Sequence, residues 1–135
     1  MLRSPGWGER GTVAVEFALV ASVLILLLFG TIELGFALQT RLALGAAARE
    51  GARQAAVDGG VSPRVQQRIV DHLLTANIRE EDTEVGISPR TASYGTPVSV
   101  TIAYDYFFRT PLLRPVLGSS VRLETRAISR SEKLR

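Results

Sequence analysis

The stretch "RGTVAVEFALVASVLILLLFGTIELGFAL", residues 10–38, decides the architecture. Between Phe17 and Ile32 it holds no charged residue, and Leu, Ile, Val, Ala and Phe fill most of it. Carried on to Leu38, the run is about 22 residues long, and about 20 apolar residues in a helix cross a hydrocarbon core. In lipid a helix satisfies its own backbone, which an irregular segment does not. A helix on the surface of a soluble domain would also carry a polar side, and this run is apolar all round. The spacing predicts a transmembrane helix over residues 12–38, with the buried helix of a soluble protein as the alternative.

Two carboxylates interrupt the pattern. At 1.5 Å per residue, Glu33 lies about 30 Å along from Thr12, near the far edge of the hydrocarbon. Its carboxylate is expected to reach headgroups or water there. Gly30, Thr31 and Gly35 beside it suit a close approach by a neighbouring helix or loop. Glu16 lies only about 6 Å along from Thr12. It can snorkel to the near interface, or it can serve a partner.

The segment before the run, "MLRSPGWGERG", is short and polar, with Arg3 and Arg10. An ordinary secretory signal is cut after its apolar region at small residues. No A-x-A-like site closes this run, so the apolar helix is expected to be retained.

After the run, residues 39–57 continue the helix without proline. Small residues recur at Ala47, Gly51, Ala55 and at Ala48, Ala52, Ala56, forming one broad face. Small residues four apart let backbones approach closely. Two uses fit: packing on a partner helix, favoured before Arg49, or packing on the chain's own sheet, favoured after it. Gly59 and Gly60 end the helix, and Ser62-Pro63 reads as an N-cap followed by the first helical position. A second helix is expected over residues 63–77, with Val65, Ile69, Val70, Leu73 and Leu74 on one side. His72, the only histidine, reads as a surface or boundary residue.

The remainder alternates with period two. Strands are expected over residues 83–88, 98–108 and 120–130. In the second, Val98, Val100, Ile102, Tyr104 and Tyr106 share one face; in the third, Val121, Leu123, Thr125 and Ala127 point inward. The fold class is α+β: a small antiparallel meander covered on one face by helices. The connection "FFRTPLLRPVLG", residues 107–118, is more apolar than a loop needs, and its prolines prevent a long helix. It either folds over an end of the sheet or docks on a partner or the membrane surface.

The chain of 135 residues has room for one small domain outside a membrane. Its formal charge of +3 comes almost wholly from scattered arginines mixed with acids, which reads as ordinary surface and not as a nucleic-acid footprint. There is no cysteine, so disulfides and thiolate zinc sites are excluded. Glu80, Glu81 and Asp82 lack the spacing of a calcium loop. No glycine-rich phosphate loop, Cys/His pair or GxSxG is present. No enzyme activity, metal or cofactor is expected.

Gly11 followed by "TVAVEF" resembles the processing site of type IV prepilins and pseudopilins: glycine, four residues, then glutamate at the head of an apolar helix. With "FG-x-x-E" (Phe29 to Glu33) and "LALGAAAREGARQAAV" (residues 42–57), residues 10–57 resemble TadE-like proteins, minor pseudopilins of the Tad system that builds Flp pili. Ala21-Ser22 stands where many relatives carry proline, so a straighter helix is expected. The resemblance implies that a prepilin peptidase cuts between Gly11 and Thr12, with Glu16 and Phe17 in recognition and assembly. It implies that Glu16 then pairs with the new Thr12 amine of a neighbouring pilin-like subunit and sets register. It divides the chain into a leader (1–11), a transmembrane helix (12–38), a helical extension (39–57) and an extracytoplasmic α+β domain (58–135). The partners implied are the peptidase, other pilins or pseudopilins and the bilayer. The leader would be cytoplasmic, although Arg41, Arg49 and Arg53 on the far flank do not choose that orientation by counting. The alternative is an uncleaved, single-pass accessory or sensor subunit of an envelope complex.

Overall fold

The computed structural model describes residues 7–134, with side chains from residue 11 onward. The first six residues of the expected leader lie outside the described part. A single helix, α1 (Trp7–Asp58, 52 residues), carries the chain out of the apolar run and into the domain without a break. At 1.5 Å per residue it is about 78 Å long. At Ala21-Ser22, where a straighter helix is expected, no proline removes a backbone N–H from the ladder, and the Ser22 hydroxyl donates to the Ala18 carbonyl at 2.7 Å.

Two glycines stop α1. Gly59 (φ 76°) is left-handed, and the N–H groups of Gly59 and Gly60 both reach the Ala55 carbonyl, at 2.9 and 2.8 Å. Both bonds satisfy a terminal carbonyl, the first in the 5→1 manner of a left-handed glycine cap. The end is then pinned to the segment at residues 90–92, because Val61 N–H donates to Arg90 O and Ala92 N–H to Gly59 O, both at 2.8 Å. A Cβ on Gly60 would collide with the Arg90 carbonyl.

Helix α2 (Pro63–Thr75) starts as expected, with the Ser62 hydroxyl accepting from Val65 N–H at 3.2 Å and Pro63 leading the first turn. It ends two residues earlier than the pattern predicts, because Asn77 turns left-handed (φ 57°) and lets Ile78 N–H close back on Leu73 O at 2.9 Å. Val65, Ile69 and Leu73 are buried, whereas Leu74 is exposed.

The sheet is antiparallel in the order β1-β2-β3, from β1 (Thr83–Ser88), β2 (Pro97–Phe107) and β3 (Ser120–Arg130). Val85 pairs with Ile102 and Tyr104 with Leu123. The central strand buries Val98, Val100, Ile102 and Tyr106 against α1 and α2. On β3, Leu123, Thr125 and Ala127 are half-covered, but Val121 is exposed, contrary to the expected pattern. This edge strand outlasts the cover that the helices give it. The core joins Leu44, Ala47, Ala48 and Ala52 of α1 to Ile69 and Leu73 of α2 and to Val100 and Ile102 of β2. Each large aliphatic side chain so buried is worth about 1.5–3 kcal/mol.

The connection between β2 and β3 forms a single 3-10 turn (Pro111–Leu113) and a four-residue helix, α3 (Arg114–Leu117), ended by Gly118 at φ 86°.

Candidate functional site

The N-terminal half of α1 is a bare rod. Val13, Val15, Phe17, Leu19 and Val20 are all more than half exposed, and no part of its most apolar stretch is buried within the chain. Glu16 and Phe17 stand on this exposed surface, and helical backbone runs through Gly11 and Thr12. Apolar side chains on every side of an uncovered helix need lipid or other helices around them.

Glu33 behaves differently from the expectation. It does not reach headgroups or water: it is 2% exposed. Its Oε1 accepts from the Tyr106 hydroxyl at 2.7 Å and from Arg109 N–H at 2.9 Å, and its Oε2 accepts from Thr110 N–H at 2.9 Å. A buried carboxylate is tolerable when donors surround it, and three are supplied here. Period-two alternation on β2 delivers Tyr106 to the inner face. Thr110 is held extended before Pro111 (φ −87°, ψ 110°), as a residue before proline prefers. The two successive backbone N–H groups thereby aim at one side chain.

Packing closes the rest of this latch. The Arg109 guanidinium lies 4.8 Å above the Phe36 ring, a cation–π contact. Phe108 meets Tyr106 edge-on, with centroids 6.0 Å apart, and Leu113 is buried beneath. Burial, reinforced by the hydrogen bond to Glu33, pushes the Tyr106 hydroxyl up to about 12.

Gly30 and Gly35 do not mark the close approach expected of them. A Cβ on either would meet nothing within 4 Å. The approach occurs at Gly51, where a Cβ would lie 2.6 Å from Ile69 Cγ1 and 3.5 Å from Val100 Cγ1. Ala47, Ala48, Gly51, Ala52, Ala55 and Ala56 are all buried. They form the seat of the chain's own α2 and sheet, so the partner-helix use expected before Arg49 is corrected. Alanines let two elements close on α1 at once, and that demand comes from within the chain.

The expected surface residue His72 is exposed, and the acidic turn at Glu80–Asp82 pairs with Arg79, at 2.7 Å to Glu81 and 3.0 Å to Asp82. Among the described residues, no group of three or more His, Cys, Asp or Glu is placed to hold a metal ion.

A bare apolar rod leading into a small α+β head defines the class: a protein anchored by one membrane-crossing helix, with its domain packed along the same helix. Residues 11–53 of the 135 match the family model described as TadE-like protein. No curated protein and no solved structure matches the chain. The matched stretch covers the exposed rod, the Glu33 anchor and most of the alanine seat. The strands that complete the latch lie beyond it.

Proposed function

We propose that this chain is a minor pseudopilin of the Tad system, cut between Gly11 and Thr12 and acting structurally in Flp pilus assembly. The observation that carries this reading is the family match, which begins at Gly11 and runs along an exposed apolar helix. Glu16 stands uncovered on that helix, four residues after Thr12. In a bundle of such rods, a new Thr12 ammonium and a neighbour's Glu16 carboxylate would form a pair in low dielectric. Removing either member would strand the other. The pair therefore fixes register more than it adds stability. In this reading the leader is cytoplasmic and the α+β domain extracytoplasmic, and the partners are a prepilin peptidase, other pilins or pseudopilins and the bilayer.

Unbroken helix across Gly11 and Thr12 favours a second reading, an uncleaved single-pass accessory subunit. N-terminal sequencing and intact mass of protein from the cell envelope separate the two. Met1 and Trp7 are the sole methionine and tryptophan, so cut protein lacks both and begins at Thr12. Full-length protein in the presence of an active peptidase supports the accessory subunit. Glu16→Gln is expected to impair processing or co-assembly; normal performance in both would remove the role given to Glu16.

A further inference from the structure

The β2–β3 connection turns apolar side chains outward in a short span. Phe107, Leu112, Val116 and Leu117 each have more than half their surface exposed. Single exposed apolar residues are ordinary, but four within residues 107–117, three of them in the connection itself, are not.

The latch fixes where this surface sits. Arg109 and Thr110 are tied through their backbone to Glu33, the first charged residue after the uncharged run from Phe17 to Ile32. Glu33 lies about 30 Å from Thr12 along the rod, which is the thickness of a hydrocarbon core. Strand β2 runs opposite to α1, with Val100 beside Gly51 and Tyr106 beside Glu33. The connection is therefore at the end of the domain nearest the bare rod. From Tyr106 to Leu123 there are three arginines and no Asp or Glu; Arg122 is paired with Glu84 and Asp105, which leaves Arg109 and Arg114 as the basic groups of the connection.

We propose that this connection is a membrane foot, resting in the interfacial zone of the bilayer that α1 crosses. Leu112, Val116 and Leu117 enter the boundary between headgroups and acyl chains, and Arg109 and Arg114 meet lipid phosphates. Three features select lipid over a protein partner: continuity with the uncovered rod, the level fixed by Glu33, and the two arginines, Arg109 and Arg114, within the connection itself. The inference rests on α1 crossing the membrane and not on cleavage at Gly11.

The chain has no cysteine, so single nitroxide-labelled cysteines can be placed at Leu112, Val116 or Leu117, with Tyr94 as control. Tyr94 is 68% exposed, and its turn is tied by Gly95 N–H to Ser131, which caps the far end of α1 near Ala56. That end is about 35 Å along the helix from Glu33. The full chain is reconstituted into vesicles of phosphatidylethanolamine and phosphatidylglycerol. Label relaxation by oxygen, which concentrates in lipid, is compared with relaxation by a water-soluble nickel chelate. Labels at 116 and 117 are expected to favour oxygen several-fold more than the label at 94. Equal behaviour at all sites would place the connection in water and overturn the proposal. Shielding of 116 and 117 from both reagents would overturn it in favour of a protein cover. Glu33→Gln turns an amide donor toward a backbone N–H, and should move the 116 and 117 labels toward the pattern of 94.

Discussion

The Tyr106 hydroxyl donates to Glu33 Oε1 at 2.7 Å, joining β2 to the membrane rod across 73 positions of the chain. With the two backbone donors at Arg109 and Thr110, this makes Glu33 a clasp between the helix and the last turn of the sheet. A carboxylate near the end of an apolar run is thus a structural anchor, satisfied from within its own chain.

Glu33→Ala should be among the most damaging single changes in the domain. It orphans three donors, each costing about 1–3 kcal/mol when left buried and unpaired. After partial relief by water, a loss of about 3–5 kcal/mol is expected. Tyr106→Phe removes one donor and leaves the carboxylate two partners, for about 1–2 kcal/mol. Urea unfolding of the detergent-solubilised chain, followed by circular dichroism, reads both. An unmoved midpoint for Glu33→Ala would contradict the clasp.

The same pair predicts a response to alkali. Burial first, and then the bond to Glu33, raises the Tyr106 hydroxyl to about 12, against about 10 for a free tyrosine. The folded state holds this proton more tightly than the unfolded state does. The contribution to stability is therefore complete below about pH 10 and is lost as pH rises through about 12. A phenolate absorbance titration should show a late component that Tyr106→Phe deletes. A titration without that component would place Tyr106 in water.

The glycines of α1 should divide by environment. At Gly51 an added methyl meets Ile69 Cγ1 at 2.6 Å, and overpacking costs about 1–3 kcal/mol. The helical gain of about 1 kcal/mol from glycine to alanine offsets part of that, so Gly51→Ala should lower stability slightly and Gly51→Val severely. Gly35→Ala meets nothing within 4 Å and should leave thermal stability equal or higher. If Gly35→Ala impaired co-assembly while the isolated chain stayed intact, that position would belong to a contact between subunits.

Ser62→Ala should cost about 1 kcal/mol by removing the N-cap of α2. The Ser62 hydroxyl accepts from Val65 N–H and donates to the Asp58 carboxylate, so it also ties the start of α2 to the end of α1. Ser62→Asp should keep the cap but set a second carboxylate against Asp58. Denaturation midpoints for the two variants separate the cap from the tie, and a silent Ser62→Ala would deny both.

Local signals were readable in the sequence wherever the cause was local. Alternation gave the residue bounds of β1 and β3 as they stand, and Ser62-Pro63 marked the start of α2. What was hidden depended on partners far along the chain. Glu33 reads as an interfacial charge until Tyr106, Arg109 and Thr110 arrive from beyond the sheet. Small residues on α1 announce close packing, but their spacing does not say whether the visitor is α2 or a neighbouring subunit. Val121 alternates correctly and is exposed nonetheless, because cover at a sheet edge depends on how far the helix extends beneath it. The roles proposed for Gly11, Thr12, Glu16 and Phe17 depend on an enzyme and on neighbouring subunits, not on this chain's own contacts.

Since α1 has no hinge between its uncovered half and the seat of the domain, the chain is mechanically a single lever. A twist or upward pull applied near Thr12 would be delivered to the sheet with little loss, and the clasp at Glu33 would bear the first shear. Machinery that hoists such a subunit would have to carry head and shaft together.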